Sequence, residues 1–206
     1  MEKLEAALAK AREMRRSALG GPEAPRGKVA PAQVPSEWAA LPEIVLPAGH
    51  AERYRITALS SGKFAAPYDM LRSRTIRMMK DKGWSRLAIT SPEAGCGKST
   101  VSLNLALSLS RHKDLRVILM DFDFRRPSLH RTLGHKPDKS LHEFLDGKAT
   151  FEDCAGRMGD NLIIALNATV SNHPAELLQS QATRDALDAV ERRWRPDVML
   201  FDMSPM

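Results

Sequence analysis

A glycine-rich stretch near the middle of the chain has the residue types of a phosphate-binding loop. It reads Gly95, Cys96, Gly97, Lys98, Ser99 and Thr100, and it lies between a predicted strand and a predicted apolar helix. Glycines let the backbone approach phosphate oxygens, so that consecutive N–H groups and the amino end of the helix point at the anion. Lys98 would then supply a positive charge to the β- and γ-phosphates, and Ser99 a hydroxyl to Mg²⁺. The strict motif has a glycine where this chain has Pro92, but the flanking strand and helix favour a phosphate site.

Two carboxylates follow the second predicted strand, in the sequence Val-Ile-Leu-Met-Asp-Phe-Asp-Phe-Arg-Arg-Pro (117–127). In an extended chain, Asp121, Asp123 and Arg125 project to the same side. Carboxylates at the end of a buried strand are costly unless a cation meets them, and ligands of parallel sheets bind beyond the carboxyl ends of the strands. A Mg²⁺ role for one acid and a base role for the other fits this position. The alternative is an Asp–Arg structural pair.

A third short run, Val-Met-Leu-Phe-Asp (198–202), consists of four apolar residues that end in an acid. It matches the strand of phosphate-loop proteins whose carboxylate supports Mg²⁺. Because it follows the other two motifs in the expected order, Asp202 is predicted to join them.

Short apolar runs alternate with helical patterns along this part of the chain. Strands are predicted at 86–90, 117–123, 161–167 and 198–202, and helices at 67–84, 98–112, 141–147 and 175–194. Apolar strands separated by helices are typical of a parallel sheet covered on both faces. The predicted fold class is therefore α/β, with a doubly wound, mostly parallel sheet.

Three regions are predicted along the chain. Residues 1–19 form an amphipathic helix, either a docking segment or a self-packed leader, and residues 20–65 a Pro/Gly-rich, partly extended linker. Residues 66–206 form the phosphate-loop domain. Its basic first helix (67–84) presents either a solvated face or a partner surface.

Composition excludes several classes of protein. The chain has 206 residues, of which 43% are hydrophobic, enough to form a core. A run of about 18 or more apolar residues is missing, so no membrane-spanning helix is predicted, and the charged N-terminus is unlike a secretory signal. Two cysteines without paired spacing suit a reduced cytoplasm. The net charge of +6 is compatible with nucleic acid, an anionic membrane or simple solubility, and does not distinguish between them. Because aromatic residues are not interleaved with basic ones, no nucleic acid partner is expected.

The three motifs together resemble the Walker A, Walker A′ and Walker B motifs of bacterial tyrosine kinases from capsule and exopolysaccharide loci. These kinases belong to the MinD/ParA group of deviant phosphate-loop ATPases. Asn-His-Pro-Ala-Glu-Leu-Leu-Gln-Ser (172–180) is similar to the NPxELL stretch of that family, and Asp-Met-Leu-Arg-Ser-Arg-Thr-Ile (69–76) to its LRTN helix. The resemblance covers about residues 66–206.

The resemblance implies a fold, an activity and a setting. It implies a Rossmann-like phosphate-loop domain that binds ATP and Mg²⁺, autophosphorylates on tyrosine and regulates polysaccharide synthesis and export. The implied partner is a membrane chain-length regulator, or co-polymerase, whose cytoplasmic tail activates the ATPase; a homo-oligomer is a second expectation. The implied location is cytoplasmic, peripheral to the inner membrane. The implied catalytic residues are Lys98, Asp121 and Asp123, and the implied Mg²⁺ ligands are Ser99, Asp121 and Asp202.

Three departures from the family pattern leave other functions open. The family's oligomerisation motif Glu-x-x-Arg-x-x-Arg aligns here with Ala66, Asp69 and Arg72, so only its last residue is kept. The two tyrosines, Tyr54 and Tyr68, precede the three motifs. The chain also ends where the family continues into further βα units, so an incomplete sheet is expected. The alternatives are a ParA/MinD-like ATPase switch without kinase activity and a non-catalytic adaptor of the polysaccharide machinery.

Overall fold

A five-stranded sheet forms the centre of the domain. The computed structural model describes residues 36–60 and 62–206, so the predicted helix 1–19 and the first part of the predicted linker lie outside the described residues. The strands are β1 (Arg86–Ile89), β2 (Val117–Phe122), β3 (Ala155–Met158), β4 (Leu162–Ala165) and β5 (Val198–Met203). Their order is β1-β5-β2-β4-β3, and all neighbours are parallel except β3 with β4. The predicted mostly parallel α/β sheet is confirmed.

Helices cover both faces of this sheet. In chain order they are α1 (Ser36–Ala39), α2 (His50–Arg53), α3 (Ala66–Lys82), α4 (Lys98–Ser110), α5 (Leu129–Leu133), α6 (Leu141–Leu145), α7 (Phe151–Cys154), α8 (Pro174–Gln179) and α9 (Gln181–Trp194). Within the described ranges, 36–60 and 62–206, no helix is both long and apolar enough to cross a bilayer.

Two hydrophobic cores lie on opposite faces of the sheet because side chains alternate along each strand. Ile118 and Met120 of β2 face one core, to which α1, α6, α7 and α9 contribute. Val117 and Leu119 face the other, which contains side chains of α3, α4 and α5. Every residue of β2 is buried, as expected for a central parallel strand covered on both sides.

The packed structure begins well before the predicted boundary at residue 66. Trp38 is 1% exposed, and its indole N–H donates to the Trp194 carbonyl at 3.1 Å. Leu41 and Ile44 are buried, and the Ile44 N–H donates to the Arg157 carbonyl at 2.7 Å. The linker prediction is therefore wrong for residues 36–60, because the few large apolar residues between the prolines are part of the core.

The remaining differences are local. The helix predicted at 175–194 is divided at Ser180, whose extended backbone ends α8 and whose hydroxyl accepts the Thr183 N–H at 3.0 Å to cap α9. The edge strand β3 was not predicted, because its sequence Ala-Gly-Arg-Met contains no apolar run. Neither change moves the carboxyl ends of β1, β2 and β5, where the motif residues lie.

Candidate active site

The glycine-rich segment connects the carboxyl end of β1 to the start of α4. Gly95 and Gly97 have φ angles of 82° and 85°, which side-chain-bearing residues rarely adopt. Gly97 is the residue immediately before α4, and Lys98 is its first helical residue. The two glycines therefore turn the chain so that the amino end of α4 opens at the carboxyl edge of the sheet, where an anion can be bound.

Lys98 reaches from this loop to the end of β2. Its ammonium nitrogen lies 2.6 Å from Oδ2 of Asp123, and the two side chains are 11% and 3% exposed. The other oxygen of Asp123 accepts the Arg126 N–H at 3.0 Å and the Ser204 hydroxyl at 3.3 Å. Burial alone would raise the pKa of Asp123, but the bonds from Lys98 and Arg126 outweigh it and lower this pKa below its ordinary value. The pair is therefore a buried ion pair.

A second pair of carboxylates lies beside it, on neighbouring strands. Asp121 of β2 is in register with Asp202 of β5, and both are fully buried. One oxygen of Asp121 accepts the Asp123 N–H at 3.2 Å, and one of Asp202 accepts the Ser102 hydroxyl at 3.1 Å. Among the described residues, the second oxygen of each carboxylate has no hydrogen-bond partner.

These two carboxylates titrate abnormally. Burial, and secondly the charge of Asp202, raises the pKa of Asp121 well above its ordinary value. Burial likewise raises the pKa of Asp202, although the nearby Ser99 hydroxyl, the charge of Lys98 and the hydrogen bond from Ser102 oppose this rise. Two buried carboxylates with unsatisfied oxygens are stable together only if protons or a cation neutralise them.

The donor set fits Mg²⁺ in the company of a phosphate. Carboxylate and hydroxyl oxygens from Ser99, Asp121 and Asp202 are hard ligands of the kind that Mg²⁺ prefers, and Mg²⁺ usually completes its shell with water and phosphate oxygens. In the parts of the chain that the structure describes, no group of three or more His, Cys, Asp or Glu side chains could hold a metal alone. A metal at this position would complete its shell with oxygens from water or from a phosphate group.

Known proteins are similar to this chain in sequence and, in one case, in structure. A ParA-type model, described as NUBPL iron-transfer P-loop NTPase, matches residues 84–150. The tyrosine-protein kinase wzc of Salmonella typhi is 31% identical over 122 residues, which are 58% of this chain and 16% of wzc. The tyrosine-protein kinase YwqD of Bacillus subtilis is 28% identical over 127 residues, 61% of this chain and 52% of YwqD. The BceF tyrosine kinase domain superposes with a TM-score of 0.64 at 26% identity, covering 85% of this chain and 76% of that domain.

The chain is similar in sequence to bacterial tyrosine kinases over about 60% of its length, and similar in fold to the kinase domain of one of them. This confirms the resemblance inferred from the three motifs, together with the phosphate-loop NTPase fold. This chain spans only about half of the length of YwqD and 16% of the length of wzc.

The sequence analysis assigned no role to several polar residues around the three motifs. Ser102 hydrogen-bonds Asp202, and it could have been found because it lies one helical turn after Ser99. Asn167, also fully buried, donates to the Asp121 carbonyl at 2.6 Å. No sequence signal identifies Asn167, because the loop after β4 reaches β2 only through the folded sheet.

The residues aligned with the family's oligomerisation motif bond within this chain. Arg72 donates to Asp69 at 2.8 Å and to the Ser108 carbonyl at 3.1 Å. Arg111 donates to the same aspartate at 3.1 Å. In this chain, these side chains hold α3 against the carboxyl end of α4.

Proposed function

We propose that the chain binds ATP with Mg²⁺ and transfers the γ-phosphoryl group to tyrosine. One observation carries the proposal: the ion pair of Lys98 and Asp123 lies beside the buried carboxylates of Asp121 and Asp202, at the mouth of a glycine-rich loop. The two carboxylates need positive charge to balance them, which a divalent cation supplies, and the loop and Lys98 can bind the phosphates that accompany that cation. The homology to tyrosine-protein kinases supports the choice of acceptor.

In the proposed complex each group has one task. The loop N–H groups of residues 95–100 bind the phosphate oxygens, and Lys98 exchanges Asp123 for the β- and γ-phosphates. Ser99, Asp121 and Asp202 hold Mg²⁺, which supplies positive charge to the phosphoryl group being transferred.

Asp123 then serves as the base. Once Lys98 turns to the phosphates, this carboxylate is free to accept the proton of the tyrosine hydroxyl. The hydroxyl oxygen forms a bond to Pγ, the bond from Pγ to the β–γ bridging oxygen breaks, and ADP leaves with that oxygen. The products are phosphotyrosine, ADP and one proton.

The proposed setting is the regulation of exopolysaccharide or capsule synthesis and export. The chain would work at the cytoplasmic side of the inner membrane, where the tail of a membrane chain-length regulator activates it. Further copies of the chain are proposed as a second partner, with the phosphorylated tyrosine supplied in trans.

Radiolabelled ATP tests this function directly. The purified chain is incubated with γ-labelled ATP, Mg²⁺ and a Glu/Tyr copolymer, and label is followed in protein and in free phosphate. Label on tyrosine supports the kinase. Free phosphate without labelled tyrosine would contradict the kinase and support a ParA/MinD-like ATPase switch. Failure to bind ATP would contradict both and support a non-catalytic adaptor.

A substitution at Lys98 tests the site. Lys98→Met should abolish nucleotide binding, measured by calorimetry, because it removes the positive charge that meets the phosphates. Lys136→Met, at an exposed loop position, is the matched control and should bind as the unmodified chain does. Unchanged ATP affinity in Lys98→Met would refute the assignment.

A further inference from the structure

Helix α3 and the residues on either side of it expose more large hydrophobic side chains than any other part of the described chain. Within residues 36–60 and 62–206, nine large hydrophobic side chains are exposed, and five of the nine lie between residues 64 and 84. Each of these five is at least 36% exposed: Phe64, Met70, Leu71, Met78 and Trp84. A concentration of exposed apolar side chains on a folded domain marks a surface that contacts a protein or a membrane.

The exposed side of α3, called here its outer face, combines apolar and basic residues. It contains Met70, Arg74, Arg77 and Met78, whose spacing places them on one side of a helix, and all four are exposed. The opposite side of the helix includes Met79, which is buried in the core against α4. The outer face therefore cannot turn inwards to bury its methionines within the domain.

The charge of α3 is not balanced by neighbouring acids. Asp69 is bonded to Arg72 and Arg111. Apart from that contact, four basic side chains and one acid remain on α3, and all five are exposed: Arg74, Arg77, Lys80, Lys82 and Asp81. Among the described residues, none of these five side chains forms an ion pair. The outer face therefore presents positive charge beside its apolar side chains.

We propose that the outer face of α3 binds the surface of a bilayer that contains anionic lipids. Anionic headgroups complement the basic side chains, each of which strengthens binding to such a surface about fivefold. Methionine and tryptophan can enter the boundary between headgroups and acyl chains, while arginine stems lie along that boundary with their charges in the headgroups. The inference does not depend on the proposed function, since no residue of the phosphate site takes part.

The shape and charge of this face favour a lipid surface over another protein. The side of a single helix is convex, so it offers no groove to a peptide, whereas a bilayer accepts protruding side chains directly. A second copy of the chain in a two-fold contact would place the same basic face against itself. The like charges of Arg74, Arg77 and their neighbours would oppose that contact.

Vesicle flotation tests the charge requirement. The full chain is mixed with vesicles of phosphatidylcholine alone, or of phosphatidylcholine and phosphatidylglycerol in equal parts, and the bound fraction is measured as lipid is added. We expect binding to the vesicles that contain phosphatidylglycerol, and weaker binding as salt is added. Arg74→Glu with Arg77→Glu should weaken this binding at least about 20-fold, because two attractive charges are lost.

Matched variants separate this face from net charge in general. Arg184→Glu with Arg192→Glu makes the same change of charge at exposed positions of α9, which covers the opposite side of the sheet, and should bind as the unmodified chain does. Met70→Ser with Met78→Ser keeps every charge and should weaken binding about tenfold, because apolar contact with the lipid is lost. Thermal melting of each variant establishes that the fold is retained.

Tryptophan fluorescence locates the contact on the chain. Of the three tryptophans, Trp38 and Trp194 are 1% and 2% exposed, whereas Trp84, which follows α3, is 52% exposed. Phosphatidylcholine brominated in its acyl chains quenches indole groups that reach the bilayer. When it is mixed into phosphatidylglycerol vesicles, it should quench the emission of the unmodified chain and leave the emission of Trp84→Phe unchanged.

The other outcomes overturn the inference. Binding that Arg74→Glu with Arg77→Glu leaves intact, or that occurs without quenching of Trp84, would mean that another part of the chain contacts the lipid. Failure of the unmodified chain to bind would assign the outer face to a protein partner. A dimer that light scattering detects without lipid, and that the same double substitution dissociates, would assign it to a second copy. None of these measurements involves ATP, so the proposed function is tested separately.

Discussion

At the scale of single residues, the proposed function requires a nucleotide to replace the contact between Lys98 and Asp123. Both groups are ionised and almost fully buried, so each serves as the counter-charge of the other in the absence of a ligand. A triphosphate competes with Asp123 for Lys98 and is repelled by the same carboxylate. The charge of Asp123 therefore weakens nucleotide binding, whereas phosphoryl transfer requires this carboxylate as the base.

This conflict predicts a separation of the two activities in Asp123→Asn. The amide removes one negative charge and frees Lys98, so the affinity for ADP should equal or exceed that of the unmodified chain. Phosphotyrosine formation should fall at least about 100-fold, because the proton acceptor is lost. Calorimetry and the radiolabel assay measure the two effects, and Asp138→Asn, at an exposed loop position, is the control. Loss of ADP binding together with transfer would argue that Asp123 holds the nucleotide instead of acting as a base.

The four motif side chains were predictable from sequence, but their pairing was not. A strand that ends in an acid, after a glycine-rich loop, indicates that Lys98, Asp121, Asp123 and Asp202 meet at one edge of the sheet. Which carboxylate forms an ion pair with Lys98 depends on the register of β2 with β5 and on the distance that the Lys98 side chain can span. Neither quantity is set by local sequence.

At the scale of elements, the segment before α3 is part of the domain. Trp38 fills the core between α1 and α9, with its ring 6.3 Å from that of Trp194 and its N–H bonded to the same residue's carbonyl. Trp38→Ala would leave a large cavity and an unpaired carbonyl. The free energy of unfolding should fall by about 3–5 kcal/mol, measured by denaturant titration.

The exposed Trp84 provides the comparison. Trp84→Ala should change the free energy of unfolding by no more than about 0.5 kcal/mol. A similarly small effect of Trp38→Ala would mean that residues 36–60 are dispensable for the fold, as expected of a linker.

Sequence patterns identified the elements that contain a continuous apolar run or a long helical period. They missed α1, α2 and β3, which are short and take their stability from tertiary contacts. Ile44, for example, is buried in the core, and its N–H donates to the Arg157 carbonyl of β3, a partner more than 100 residues away. High proline content correctly indicates irregular backbone, but it does not indicate whether that backbone is packed.

At the scale of the whole molecule, one polar cluster joins the edge strand β1 to the last long helix. Arg86 of β1 lies 2.5 Å from Asp188 and 2.5 Å from Glu191 of α9, and the Ser85 hydroxyl donates to Glu191 at 2.5 Å. The cluster ties the beginning of the sheet to residues about 105 positions later in the chain. It therefore stabilises the arrangement in which β1 carries the phosphate loop to the carboxylates of β2 and β5.

This cluster predicts how stability depends on pH. The hydrogen bond from Ser85, and after it the contacts with Arg86, lower the pKa of Glu191 despite its partial burial. A carboxylate with a lowered folded-state pKa stabilises the fold above its unfolded pKa of about 4.3 and loses that contribution as the pH falls. Glu191→Gln should therefore be less stable than the unmodified chain at pH 7, and the difference should shrink as the pH falls below about 4.3. Urea titrations at a series of pH values measure it, with Glu176→Gln, exposed on α8, as the control; a difference independent of pH would mean that packing, and not the charge of Glu191, joins β1 to α9.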